Sequence, residues 1–140
     1  MRVTRITIDD VAVLTASATF GSRTLEKWLG DARRRSADAI AIAHYRNEEL
    51  AGLLLGFVTD NAGHCAHLVN RPCFSPDVTT YVLVNAFRAE LAALGIDRAV
   101  FQLNETNRGI SAALDVLGVR PLAPAVPEAH GFLGELALGA

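Results

Sequence analysis

The sequence predicts one α/β domain built on a mixed β-sheet, and three observations carry that prediction. The chain has 140 residues, near the commonest size for a single domain, and 51% of them are apolar against 20% charged. Apolar residues alternate with a period of two in some segments and recur at helical spacing in others. In the second half a strand, a long helix and a strand follow one another, which ordinarily gives a right-handed parallel crossover. No internal repeat, low-complexity tract or linker interrupts the chain, so residues 1–140 read as one domain.

The elements follow in order. Arg2 to Ile8 alternates like a short strand, and Asp9 and Asp10 then place negative charge where a helix start favours it. Val11, Leu14 and Ala18 continue that helix until Gly21 breaks it. Ser22 can cap a second helix whose apolar face is Leu25, Trp28, Leu29 and Ala32. Ala39 to Tyr45 is β-prone, Arg46 to Glu49 reads as a turn, and Leu50 to Thr59 is a returning strand apolar on both faces, as in mid-sheet. Asp60 to Gly63 turns into a fourth strand, His64 to Asn70.

Pro72 and Pro76 bracket an irregular stretch. Asp77 or Thr79 then caps a long helix with Leu83, Phe87, Leu91 and Leu94 inward, ending at Gly95. Arg98 to Leu103 is a fifth strand. Thr106 or Asn107 opens a helix with Ile110, Leu114 and Leu117 inward, stopped by Gly118. Val119 to Leu122 is a short strand, Pro121 to Pro127 a loop, and Gly131 to Leu138 a last strand. The order is β-α-α-β-β-β-α-β-α-β-β, with the sheet antiparallel early, parallel at the fourth and fifth strands and antiparallel again at the end.

A net charge of −2 gives no general attraction for nucleic acid or an anionic membrane surface. Arg33-Arg34-Arg35 reads as the solvated end of a helix. The longest apolar run, Leu50 to Val58, is too short to cross a bilayer and contains two glycines. No signal peptide is visible at the start, and Cys65 and Cys73 read as free thiols, so the expected compartment is the cytoplasm. His64, Cys65 and His67 crowd the fourth strand, where simple alternation puts Cys65 and His67 on one face and His64 on the other. Cys65 and His67 can be a nucleophile and its base, half a zinc site with Cys73, or a buried thiol beside a histidine. No fourth ligand stands at standard spacing, so no metal is expected.

The stretch Leu94-Gly95-Ile96-Asp97-Arg98-Ala99-Val100-Phe101-Gln102-Leu103-Asn104-Glu105-Thr106-Asn107, continuing through Ile110 to Leu117-Gly118-Val119-Arg120-Pro121, resembles the GNAT superfamily of N-acetyltransferases. Asn107, Ile110, Leu117, Gly118 and Pro121 fall at the spacing of its "N-x-x-A" helix start and "L-G-F-x-P" motif. The element order extends the resemblance over nearly the whole chain. The resemblance implies an acyl-CoA N-acyltransferase fold in which the fourth and fifth strands part and the pantetheine arm of acetyl-CoA, or another acyl thioester, lies between them like an added strand. Leu68, Val69 and Asn70 would form that wall; the same residues also suit an ordinary paired strand. Asn104 and Asn107 would lie at the cleft mouth, Asn104 toward pantetheine, with capping of its helix as the other role for Asn107. His67, bordering the acyl pocket, would be the base that deprotonates an attacking amine.

The sequence also departs from that pattern. The loop that should open the long helix, Arg/Gln-x-x-Gly-x-Gly/Ala, falls on Phe74-Ser75-Pro76-Asp77-Val78-Thr79, and no glycine occurs between Gly63 and Gly95. Asp77 puts a carboxylate where a diphosphate should sit. Ser75, Thr79 and Thr80 offer hydroxyls there instead. The tyrosine that protonates the leaving thiolate in many members is replaced by Leu114, and Tyr81 lies on a different helix. The expected function is transfer of an acyl group from a thioester to a small-molecule amine. The alternative is a GNAT-like module without catalysis, serving as a ligand-binding or dimer-forming unit. A homodimer is an open option, since an exposed terminal strand could pair across it.

Overall fold

The structure, a computed structural model, describes residues 2–16, 22–59, 61–71, 74–103, 108–122 and 132–138. The elements come in the expected order: β1 (Arg2–Ile6), α1 (Ile8–Ala16), α2 (Ser22–Arg34), β2 (Ala39–Arg46), β3 (Glu49–Val58), β4 (Gly63–Asn70), α3 (Pro76–Ala93), β5 (Arg98–Leu103), α4 (Arg108–Val116), β6 (Arg120–Pro121) and β7 (Phe132–Ala137). They form a seven-stranded sheet in the order β1-β2-β3-β4-β5-β7-β6. The β4–β5 pair is parallel and the other described pairs are antiparallel.

Local chemistry moves several boundaries. β1 stops at Ile6 because Thr7 begins a reciprocal cap. The Asp10 N–H donates to the Thr7 hydroxyl at 3.1 Å, and the Thr7 N–H donates to the Asp10 carboxylate at 3.0 Å. That closes the orphan donors of a helix start and releases α1 at Ile8. The β2–β3 turn shrinks to Asn47 and Glu48, both at positive φ (51° and 64°), the two-residue geometry that matches strand twist. Gly95 (φ 74°) and Gly118 (φ 91°) stop α3 and α4 as expected. In each case the residue after the glycine donates back into the last turn, Ile96 N–H to Leu91 O and Val119 N–H to Leu114 O, both at 2.9 Å.

The terminal strand lies inside the sheet rather than at its margin. The terminal strand β7 is not an edge: β5 pairs along it from Phe132 to Ala137, and β6 covers it at Gly134 and Glu135. Among the described residues the outermost strands are β1 and the two-residue β6.

The helices divide between the two faces. α3 and α4 cover one face with a core of Leu83, Phe87, Leu91, Ile110 and Leu114 over Ile40, Ile42, Leu54, Cys65 and Phe101. α1 and α2 cover the other with Val11, Leu25, Trp28 and Leu29 over Ala41, Leu53, Leu55 and Phe57. β2 and β3 are therefore apolar on both faces because both are covered. Among the described residues no helix is long and apolar enough to cross a membrane.

Candidate active site

The site begins with one extra residue in β4. Gly56 pairs with Cys65, but the next residue back, Leu55, pairs with His67, so Ala66 bulges out of the ladder. A bulge bends its strand and sharpens the local twist. Here it falls directly after the last β4–β5 pair: Gly63↔Ala99, His64↔Val100 and Cys65↔Phe101 are joined, and beyond them the two strands diverge. Among the described residues no strand pairs with the far edge of β4 past Cys65. The N–H of Arg71 donates to Ala51 O at 2.8 Å, which fixes the alternation of the outer half of β4. Counting back in steps of two, Val69 turns its backbone groups to β3, whereas Leu68 and Asn70 turn theirs into the gap. Of the three wall residues expected from the sequence, two are placed to meet an added strand and Val69 is not.

The bulge also reassigns side chains. It breaks the alternation, so Cys65 and His67 fall on opposite faces, correcting their expected adjacency. Cys65 is fully buried with Leu68 in the α3–α4 core; its thiol points at the His67 carbonyl oxygen at 3.7 Å, and burial pushes its pKa well above the ordinary range. It is neither a ready nucleophile nor a partner for the His67 imidazole. His64 and His67 instead share the α2 face, opposite Phe57 and Leu55 of that core.

There they border an open cleft of about 420 Å³, lined from α2 by Lys27, Trp28 and Asp31, with Arg35 just beyond it, and floored by Phe57 and Gln102. Trp28 is fixed by its indole N–H donating to Gly56 O at 3.3 Å and by stacking on Phe57, ring centroids 6.1 Å apart. The Arg35 guanidinium lies 4.4 Å from the Phe57 ring centre. The His64 Nε2 is 3.5 Å from the Thr59 hydroxyl. Burial, then the Arg98 and Arg35 charges, hold His64 below the usual imidazole pKa, so it is neutral at pH 7. The same burial and charges disfavour its imidazolium, so proton uptake there is weakened. Sequence reading missed the α2 contribution, although Lys27 and Asp31 stand four apart on one side of that helix and Arg35 follows four later, just past its end.

The start of α3 is built differently. Ser75 occupies the N-cap position and Pro76 the first turn, so the cap is neither Asp77 nor Thr79. The Asp77 carboxylate accepts the Ser75 hydroxyl and the N–H of Val78 (2.9 Å), and both hold it below the usual carboxylate range. Thr79 N–H donates to Ser75 O at 3.1 Å. Thr79 and Thr80 are each 2% exposed: the Thr80 hydroxyl donates to Pro76 O at 2.6 Å, and the Thr79 methyl would lie 2.4 Å from a Cβ on Gly52 of β3.

No protein-family model matches the sequence, and no curated protein matches it. Solved structures do. The aminoglycoside 6'-N-acetyltransferase from Enterococcus faecium superposes with a TM-score of 0.70 at 13% identity, covering 100% of this chain and 98% of its own. A ribosomal-protein alanine N-acetyltransferase from Escherichia coli gives 0.70 at 12% identity over 99% and 94%. The PaiA N-acetyltransferase from Thermoplasma acidophilum, in complex with coenzyme A, gives 0.66 at 13% over 98% and 99%. This chain has the GNAT acetyltransferase fold.

Within the GNAT fold the expected site residues separate. Leu68, Asn70 and His67 stand at the gap and its cleft. Thr79 and Thr80 are both buried, Thr79 over Gly52 of β3 and Thr80 with its hydroxyl on Pro76 O. Leu114 is fully buried in the core and offers no proton, while Tyr81 is half-buried on α3. Asn104, Asn107 and Cys73 lie outside the described residues. No group of three or more His, Cys, Asp or Glu that could hold a metal occurs among the described residues. Among the described residues, the outward backbone of Leu68 and Asn70 has the chemistry to pair with the amides of a thioester arm, whereas the start of α3 presents a carboxylate, which does not suit a diphosphate.

Proposed function

We propose that the protein is an N-acyltransferase that moves an acyl group from a thioester to the amine of a small molecule held in the α2-face cleft. One observation carries this reading: the bulge at Ala66 opens β4 from β5 at the very point where two imidazoles border an open cleft. The thioester arm lies along the free edge of β4, against the backbone of Leu68 and Asn70. His67 takes a proton from the amine as its nitrogen attacks the thioester carbonyl carbon. The carbonyl oxygen becomes an oxyanion, which outward-facing β4 N–H groups stabilise. Collapse forms the amide and breaks the C–S bond; the sulfur leaves with the electron pair and takes back the proton held by His67. No side chain at Leu114 is needed if the same imidazole serves both transfers.

The test is thiol release from acetyl-CoA and from S-acetyl-pantetheine across a panel of primary amines. Aminoglycosides belong in the panel because structures of the same fold act on them. His67→Ala should lower the amine-dependent rate by about 100-fold while leaving the donor Kd unchanged. A variant as fast as the parent removes His67 from the mechanism. A second reading, a GNAT-like module without catalysis, is favoured by the buried Leu114 and the occupied start of α3. Saturable donor binding without thiol release toward any amine would select it.

A further inference from the structure

We infer that this domain holds its donor through the pantetheine arm alone, and that the nucleotide diphosphate of coenzyme A adds nothing to binding. The inference rests on the acyltransferase reading above and narrows its donor to pantetheine thioesters recognised by their amides.

A helix start attracts a phosphate because its first N–H groups lack partners and the helix dipole points outward. At α3 those features are spent internally. Pro76 has no N–H to give. The Val78 N–H is bound to the Asp77 carboxylate at 2.9 Å, and the Asp77 amide acts on the same group. The Ser75 hydroxyl, which a phosphate oxygen would otherwise recruit, also donates to Asp77. A fixed carboxylate therefore sits where a dianion would have to come, and the attraction of the helix end is already satisfied by it.

Among the described residues no neighbouring side chain replaces what is lost. The Thr80 hydroxyl returns to Pro76 O, and Thr79 is pressed over Gly52, so neither turns outward. Arg71 stands close in sequence, but its guanidinium is 3.9 Å from the Glu49 carboxylate and 5.9 Å from the Phe74 ring centre. By contrast, the edge of β4 at Leu68 and Asn70 is suited to the two amides of a pantetheine arm, which can pair with backbone as a strand would.

The experiment compares the Kd of the wild-type domain for acetyl-CoA and for S-acetyl-pantetheine by calorimetry at one ionic strength. The two constants should agree within about threefold, far short of the several tenfold steps that a well-held diphosphate supplies. A preference of about tenfold or more for acetyl-CoA overturns the inference and leaves the transferase reading standing. Binding of neither thioester overturns both. As a second measurement, Asp77→Asn keeps the shape of the side chain and removes its charge. It should raise affinity for acetyl-CoA by roughly three- to tenfold while leaving S-acetyl-pantetheine unchanged. Weaker acetyl-CoA binding in that variant, or no change, would show that Asp77 does not bar the diphosphate.

Discussion

β4 and the start of α3 are consecutive in the chain, yet one is held open and the other is closed. At β4 an extra residue lifts the strand away from β5 and leaves backbone groups of Leu68 and Asn70 facing a gap. At α3 the helix start is occupied by its own groups: the Asp77 carboxylate accepts the Val78 N–H, Pro76 has no N–H, and Thr79 and Thr80 are buried. On the proposed donor reading, the two parts of the donor site are separable. The gap depends on register and needs no particular side chain. The helix mouth depends on glycines and free amides, so a few substitutions abolish it.

The comparison breaks most severely if the open end can be zipped shut. Removal of Ala66 would let Cys65 run directly into His67, restoring regular pairing to β3. Cys65 and Leu68 would stay on the α3–α4 face and His67 on the α2 face, so the cores are preserved. Loss of thioester binding by at least about 100-fold, with a cooperative melt retained, is the expected outcome by calorimetry. Binding at the parental Kd would mean that the bulge does not open the gap.

Two glycines of β3 sharpen the same contrast. A Cβ on Gly56 would lie 2.1 Å from the His64 carbonyl oxygen, a backbone atom held by the bulged segment. A Cβ on Gly52 would meet the Thr79 methyl at 2.4 Å and Val69 O at 2.8 Å, beneath the closed start of α3. Gly56→Ala should cost about 3 kcal/mol, lowering Tm by roughly 10 °C, and should impair donor binding as well. Gly52→Ala should cost about 2 kcal/mol and leave S-acetyl-pantetheine binding near normal. Equal effects on binding would erase the distinction between the two ends.

The fold was legible in the sequence because periodicity and stop signals report local preference. Leu25, Trp28, Leu29 and Ala32 mark one helical face, and Gly95 and Gly118 end their helices where a left-handed residue is required. The site was legible only in part. The strands around the gap were placed correctly, but the single residue that opens it, Ala66, has no composition that distinguishes it from any strand residue. Register is a pairing property between chains of residues far apart, so alternation alone put Cys65 beside His67 and His64 away from it. The contribution of α2 was hidden for a related reason. Lys27, Asp31 and Arg35 look like an ordinary solvated face until β4 is known to bend beneath them. Asp77 was visible as a carboxylate near the start of α3, whereas the role of Pro76 as the first helical residue emerged only with the cap.

The smallest expected effect concerns the histidines at the two ends. His64 borders the open cleft with a hydroxyl nearby, whereas His44 of β2 pairs with Gly52, the glycine under Thr79. His44 is fully buried and neither ring nitrogen has a hydrogen-bond partner; burial lowers its pKa, and the Arg2 backbone opposes that shift without reaching hydrogen-bond geometry. The sign follows from linkage. As pH falls below the ordinary imidazole pKa of 6.5, the unfolded chain takes up a proton that folded His44 refuses, so stability declines until the lower folded pKa is reached. His44→Leu, of similar bulk and without a proton to bind, should flatten the fall in chemical-denaturation stability between about pH 6.5 and 5 by at most about one proton. Part of the slope should remain, because His64 is shifted in the same direction. If His64→Leu flattens the curve and His44→Leu does not, the acid-sensitive site lies at the cleft, and the closed end of the slot is the more robust of the two.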